Sequence, residues 1–517
     1  MRYVANGVHH EVTLVPMLDV LAKAAPAGAM LARAGGGGPS VDERGTRLVN
    51  RLRTVSGIAA RFDAPLGETQ MVVVTTKTRG AAAEGVLTIA TDTVTVEGAR
   101  LADIVWAEEM FGAQLVEEGE EGKKLLKVPR DANAGLQRAF DLAEQLLQRG
   151  VAAAHPNFVR ALPHLPLVTA SAPTQWAHRM IGVAQVWKKT MGEKIRVAIL
   201  DEGVDTNHAA LKPAVVAQRD FIEANGDNAM PSANDAHGTA CAGIVVSRDP
   251  ACPGVAPKAS LIAARIALSD AQGNWIFDDF KTADAVDWCW RTGADVLSNS
   301  WGGGPPVDVI TRAFERARTL GRNGLGAVVV IAAGNNQGPV QYPATIPGVL
   351  AVGASNQFDE RKTRTSRDGE RWGSCFGPVL ALLAPGVRIL TTDITGAAGY
   401  DPGDFVATFN GTSSATPHVA ATAALILSVS PKLQAAQVRQ IIIETAKKLA
   451  GQTKWTPELG HGRLDAAAAV AAAFAAPPSP TIVGVDTPKA RRRSAALSKK
   501  VRSRPKGAKK ATRQRRR

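Results

Sequence analysis

The sequence predicts an α/β protein: one parallel sheet with helices on both faces, preceded by a small α+β domain. Three observations carry this. Short apolar runs recur at Ile195–Leu200, Leu261–Ile266, Val296–Ser300, Ala327–Ala332 and Val349–Val352. Runs without polar alternation suit strands buried on both faces. Helical stretches such as Ala283–Thr292 and Val309–Leu320 alternate with them, the order that builds parallel sheets. The third observation is Asn410–Ser428, NGTSSATPHVAATAALILS, a sharp turn followed by a helix of small apolar residues. Gly411 gives the backbone room to turn, Thr412, Ser413 and Ser414 are capping types, and Pro417 is tolerated only in a first helical turn. Ser413 is therefore expected at a helix N-terminus, where free N–H groups and the helix dipole favour negative charge.

Composition sets the outer bounds. With 517 residues, 45% of them hydrophobic, the chain can bury a large core in two or three domains. The net charge of +14 is uneven. From Lys489 to the end there are 15 Lys and Arg and no acid, leaving 46 of the 61 basic residues against 47 acidic ones elsewhere. The high pI describes a tail, not the fold. Four cysteines do not make a disulfide framework; Cys241 and Cys252 could pair, but free buried thiols are expected for all four. Asp19 and Lys23 interrupt the apolar stretch Val12–Ala34, so it does not read as a signal peptide, and no run is apolar enough to span a membrane. The default expectation is a soluble, cytoplasmic protein, with secretion through an atypical leader as the alternative.

Taken in order, residues 1–45 are Ala-rich and end in the Gly35–Gly38 run, which reads as a flexible lead-in. A small domain is expected over 46–162. Met71–Thr76 and Val86–Val96 have strand patterns. Ala134–Arg149 places Leu136, Phe140, Ala143 and Leu147 on one helix face, and Val151–Leu162 follows as a strand. Residues 163–176, with three prolines, form a linker. The main domain is expected over 176–474, closing with the amphipathic stretch Ala435–Leu449 and a last helix near Gly460–Val470. A linker and a disordered basic tail are expected over 475–517.

The chemistry gathers outside the carboxyl ends of the strands, as open parallel sheets require. Asp201 ends the first strand in VAILDEGVD. Ser300, Trp301 and Gly302 follow the strand at 296. Gly334 and Asn335 follow the strand at 327. His237 lies in DAHGTACAGIV, where a small-residue helix begins. A serine hydroxyl is a poor nucleophile at neutral pH. An imidazole near pKa 6.5 can take its proton and return it to a leaving amine. A buried carboxylate fixes the imidazole tautomer, and a side-chain amide can stabilise an oxyanion. Singly, each motif has a bland reading: Asp201 as a helix cap, the glycine–asparagine pair as a turn, Ser413 as a cap. His208, His418 and His461 read as structural.

In order, the motifs resemble those of the subtilisin-like serine proteases, the subtilase or peptidase S8 family. Its nucleophile string Gly-Thr-Ser-x-Ala-x-Pro-His matches Gly411–His418, and its order Asp, His, Ser is kept. The similarity runs from about Trp176 to Val470. It implies a serine endopeptidase acting on protein or peptide substrates through an acyl-enzyme, with Asp201 orienting, His237 as general base and acid, and Ser413 as nucleophile. Asn335, with the Ser413 N–H, would form the oxyanion hole. Ser300, Trp301 and Gly302 would pair with substrate backbone by strand addition, with Gly273-Asn274-Trp275 as the opposite wall and Gly334 nearby. The helix-then-strand ending at 134–162 resembles the last part of a subtilase propeptide, which implies an autoprocessed precursor. An unrelated accessory domain is the alternative. No metal enters the chemistry; structural calcium stays open.

Three departures from the family pattern stand out. Glu202 replaces the Ser or Thr that usually follows the aspartate, and a second carboxylate there is expected to raise the pKa of Asp201. Ser247–Pro257 lacks an Asn-rich insertion that forms a calcium site in many relatives. Arg361–Phe376 is unusually charged. Two rival functions are a catalytically dead peptide-binding module and a protein whose business lies in the tail. The tail lacks aromatics for base stacking, so it would hold nucleic acid or another polyanion through phosphate-type contacts alone.

Overall fold

The structure is a computed structural model that describes residues 2–5, 7–16, 71–75, 87–129, 135–163, 175–223, 226, 228–232, 235–269 and 274–475. The Gly35–Gly38 run, Gly273 and the basic tail lie outside these residues. Two strands, β1 (Arg2–Ala5) and β2 (Val8–Pro16), pair antiparallel within the segment expected to be a flexible lead-in. The reason is local alternation: Tyr3, Ala5 and Val12 are buried while the paired Arg2 and Glu11 on the opposite face are exposed, a period of two that the Ala-rich stretch downstream obscures.

β3 (Met71–Thr75) and β4 (Leu87–Glu97) continue the sheet. Next come α1 (Leu101–Phe111), β5 (Gln114–Glu118), β6 (Lys124–Lys127), α2 (Gly135–Gln148) and β7 (Ala153–Pro163). Helix α2 buries Leu136, Ala139, Phe140, Leu142, Ala143 and Leu146, the stripe read from sequence shifted slightly around its axis. β7 pairs antiparallel with β4 on one side and, on the other, with a strand from the second half of the chain. The N-terminal sheet is thus continuous with the region that carries the chemistry.

That second region opens with α3 (Trp176–Ile181) and α4 (Val183–Val186), then β8 (Arg196–Asp201) and β9 (Val215–Asp220). α5 (His237–Val246) precedes β10 (Ser260–Arg265), the short β11 (Leu268–Ser269) and β12 (Asn274–Asp278). α6 (Asp279–Arg291), β13 (Val296–Asn299), α7 (Asp308–Leu320), β14 (Val328–Ala332), β15 (Leu350–Ser355) and β16 (Leu382–Pro385) follow. A hairpin of β17 (Ile389–Thr392) and β18 (Phe405–Phe409) leads into α8 (Thr412–Val429), α9 (Ala435–Glu444) and α10 (Ala466–Ala475). The seven-stranded sheet has the order β16-β15-β14-β13-β8-β10-β9 and is parallel throughout.

Alternate residues of β8 enter two different cores. Val197 and Ile199 pack with residues of α5 and α8; Ala198 and Leu200 pack with residues of α6 and α7. Every residue of α8 from Thr412 to Leu427 is buried, as befits a helix apolar all round. The five strands expected from apolar runs are all present. β9, β16 and the β17–β18 hairpin are additional; β9 runs along an edge with partly exposed residues, so its sequence lacks the continuous apolar signature. All four cysteines are buried thiols outside any disulfide, and no described helix is long and apolar enough to cross a membrane.

α5 is clamped to β17. The Thr391 and Thr392 hydroxyls donate to the carbonyls of Ala240 and Thr239 at 2.7 and 2.8 Å. A Cβ on Gly243 would stand 2.2 Å from Thr392 Oγ1 and 2.8 Å from Thr392 N. Helix propensity favours Ala over Gly by about 1 kcal/mol, whereas overpacking a rigid contact costs about 1–3 kcal/mol. Gly243→Ala is therefore expected to lower Tm in scanning calorimetry; a rise in Tm would show that β17 yields to the methyl group.

Candidate active site

Asp201 is the last residue of β8, and His237 is the first of α5. His237 Nδ1 lies 2.9 and 3.1 Å from the two Asp201 carboxylate oxygens. Asp201 Oδ1 also accepts the Glu202 N–H at 2.9 Å. The bond to the carboxylate puts the proton on Nδ1, leaving Nε2 as the basic nitrogen. Gly238 makes the approach possible: a Cβ there would meet Gly203 O at 2.0 Å and Asp201 Cβ at 2.9 Å. The imidazole is 1% exposed, held edge-on by Trp275 at 4.9 Å and by Phe409 at 5.3 Å.

Ser413 is the second residue of α8. Its hydroxyl donates to the Ser300 carbonyl at 3.2 Å, and the Ser300 hydroxyl donates to the Ser413 carbonyl at 2.9 Å. The Cys241 thiol joins the two halves of the site. It lies 3.8 Å from His237 Nδ1 and 3.6 Å from the Ser413 carbonyl. Cys241 stands one helical turn after His237, a spacing that places both on one helix face and that could have singled it out.

Asn335 follows β14. Its Oδ1 accepts both the N–H and the hydroxyl of Thr412, at 2.8 and 2.9 Å; the Thr412 hydroxyl in turn accepts Gly334 N–H at 3.2 Å. With Oδ1 engaged, the two Nδ2 hydrogens point the other way. Gly411, at φ 118°, lies beside them: a Cβ there would stand 3.3 Å from Asn335 Nδ2 and 3.4 Å from Ser413 N. Both nitrogens therefore border one small region, kept open by a residue without a side chain. Thr412, read from sequence only as a cap, is the lock on this arrangement.

The other expected positions separate. Ser300 touches Ser413 directly. The Trp301 ring is 5% exposed and packs between Phe277 and Phe314, so it supports the wall from behind. Gly302 backs onto the Tyr342 carbonyl, 2.9 Å from where its Cβ would be. Gly334 sits at φ 110° beside Cys375. His208 lies between Ala210 N–H, which it accepts, and the Asp404 carbonyl. His418 bonds the Ser414 carbonyl, and burial lowers its pKa to about 4.

A model of the subtilase family matches residues 192–462, more than half of the chain. The chain belongs to the subtilase family. Thermitase from Thermoactinomyces vulgaris is 33% identical over 302 residues, 57% of this chain and 95% of its own. A calcium-dependent protease from Trichormus variabilis is 32% identical over 435 residues, covering 74% of this chain; this chain spans 63% of that relative's length. Among solved structures, fervidolysin from Fervidobacterium pennivorans superposes with a TM-score of 0.58 at 23% identity, over 75% of this chain and 61% of that one, a likeness of fold.

Two further features mark the site. Asp201, His237 and Cys241 bring potential metal ligands within 4.8 Å of one another. Burial and the Asp201 charge push the Cys241 thiol well above its ordinary value, so it stays protonated and makes a poor ligand. Glu202 is the second. Its Oε1 accepts the His237 N–H and its Oε2 the Ser269 hydroxyl, both at 2.8 Å, tying α5 to β11. Burial first, then the Asp235 and Asp201 carboxylates, push the Glu202 carboxyl well above 4.5. Glu202 itself is thus one of the crowded acids held in its neutral form.

A raised folded pKa favours folding fully below the unfolded value, near 4.5, and that contribution is lost as pH rises toward the folded value. Glu202→Gln has no such loss. In a Ser413→Ala background, urea titrations at about pH 4 and about pH 8 should show the Gln variant gaining on the parent at the higher pH. A difference that does not change with pH would mean that Glu202 titrates alike in both states.

Proposed function

We propose that this subtilase is a serine endopeptidase made as an autoprocessed precursor. The observation that carries the reading is the assembly of three strand ends and two helix starts. Asp201 holds His237, Thr412 holds Asn335, and Ser413 stands in the first turn of α8, bonded to Ser300. In the reaction the Ser413 hydroxyl turns from the Ser300 carbonyl and gives its proton to His237 Nε2 while Oγ attacks the substrate carbonyl carbon. Asp201 stabilises the imidazolium. The oxyanion takes the Asn335 Nδ2 and Ser413 N hydrogens. His237 returns the proton to the leaving amine, and water, activated by the same imidazole, releases the acyl group.

Substrates are proteins or peptides. Self-cleavage falls between 163 and 176, where the chain passes from the N-terminal sheet to α3. Structural calcium enters through the name of the calcium-dependent protease relative. In this chain Asp205, Asp393 and Asp404 already accept backbone amides around the 393–404 loop. A polyanion tether in the basic tail rests on its charge alone.

Ser413→Ala is expected to abolish labelling by a fluorophosphonate probe and the new N-terminus between 163 and 176, read by N-terminal sequencing. Labelling that survives the substitution would remove Ser413 as nucleophile. Asn335→Ala is expected to lower kcat by about 100–1,000-fold with little change in KM, a range that comes from a subtilisin. Unchanged kcat would take Asn335 out of the oxyanion hole.

A further inference from the structure

β7 runs into the candidate cleft between two walls. It pairs antiparallel with β12: Asp278 faces Val159, Phe277 faces Arg160, Trp275 faces Leu162 and Asn274 faces Pro163. Because the Trp275 ring touches His237 at 4.9 Å, β7 approaches the triad as it runs from Arg160 toward Pro163. The Arg160 side chain reaches the other wall, just beyond Ser300–Gly302. Nη1 donates to the Gly303 carbonyl at 3.0 Å, and Nη2 donates to the Pro305 carbonyl at 2.9 Å. Nε and Nη2 also engage the two Asp279 carboxylate oxygens at 2.7 and 3.1 Å.

All of these acceptors belong to the second half of the chain; the cation alone comes from the N-terminal sheet. Arg160 is 1% and Asp279 0% exposed. A buried ion pair gives little net stability compared with an apolar pair of the same volume, yet removing one partner leaves the other charge uncompensated. When β7 leaves, the socket keeps a carboxylate and two carbonyls aimed at one point, and it is complete again only with another cation. The forked geometry fits a guanidinium better than an ammonium.

We propose that Asp279, Gly303 and Pro305 form a substrate subsite for an arginine side chain, occupied in this chain by Arg160, and that Asp279 sets the preference. The proposal rests on the endopeptidase reading and names its substrate class: extended segments with arginine upstream of the bond cut. Since Arg160 precedes by two residues the position opposite Trp275, the preference falls at one fixed site about three to five residues before the scissile bond.

The test is cleavage profiling on peptides from a denatured proteome, using enzyme matured from the full chain. Arginine should be enriched at a single upstream position in that window. Two synthetic peptides differing only in Arg or Met there should differ about ten-fold or more in kcat/KM, Arg being favoured. In Asp279→Asn the ratio should fall toward one. Peptides cut with no arginine enrichment at any fixed upstream position would overturn the subsite while leaving the endopeptidase intact. This wild-type result decides the matter even if the variant does not fold. A ratio unchanged in active Asp279→Asn would overturn the role of Asp279. Wild-type enzyme that cuts no peptide and takes no fluorophosphonate label would overturn the endopeptidase reading instead.

Discussion

The close contact between α5 and the end of β8 is the constraint on which the site depends. His237 can bond Asp201 at 2.9 Å only because Gly238 allows the helix to press against Gly203, and because Thr391 and Thr392 hold the helix from the other side. The parallel sheet makes this useful. Its strands end together, so one central strand delivers the carboxylate while the helices that return over the sheet deliver the imidazole and the hydroxyl. A shift of one residue in β8 would send Asp201 to the opposite face of the sheet.

Buried polar groups around the site are tied in pairs that each serve two elements. Thr412 bonds Gly334 and Asn335, joining α8 to the loop after β14. Ser300 and Ser413 exchange bonds across β13 and α8. Glu202 joins β8, α5 and β11. Arg265, at the end of β10, donates to the Glu202 carbonyl and is neutralised by Asp220, Glu223 and Asp235. Such shared anchors fix geometry more than they add net stability, and fixed geometry is what a hydroxyl nucleophile and an oxyanion site require.

The N-terminal sheet is bound through charge as well as backbone. Besides Arg160, Lys123 is fully buried against Asp287, Glu97 meets Arg312 and Arg316 on α7, and Asn157 accepts the Phe280 N–H at the start of α6. Burying Lys123 and Asp287 requires each to be matched, so the two halves of the chain recognise each other specifically. β1 and β2 belong to this sheet although they lie some fifty residues of sequence before β3.

By itself the sequence determined the parallel sheet, five of its strands and the placement of Asp201, His237, Asn335 and Ser413 at strand ends and helix starts. These are written locally, as apolar runs of strand length and as glycine- and serine-bearing strand ends and helix starts. The early hairpin was hidden because its alternation is short and followed by an Ala-rich stretch of low complexity. Tertiary structure alone decided what lies between distant segments. It gave Thr412 its hold on Asn335, placed Cys241 against both His237 and Ser413, and turned the Trp301 ring into the core. It also buried Glu202 beside Asp235 and Asp201 and set Arg160 opposite Asp279 across more than a hundred residues of chain. Burial and partner identity come from how the sheets and helices stack, and no residue's neighbours in sequence carry that information.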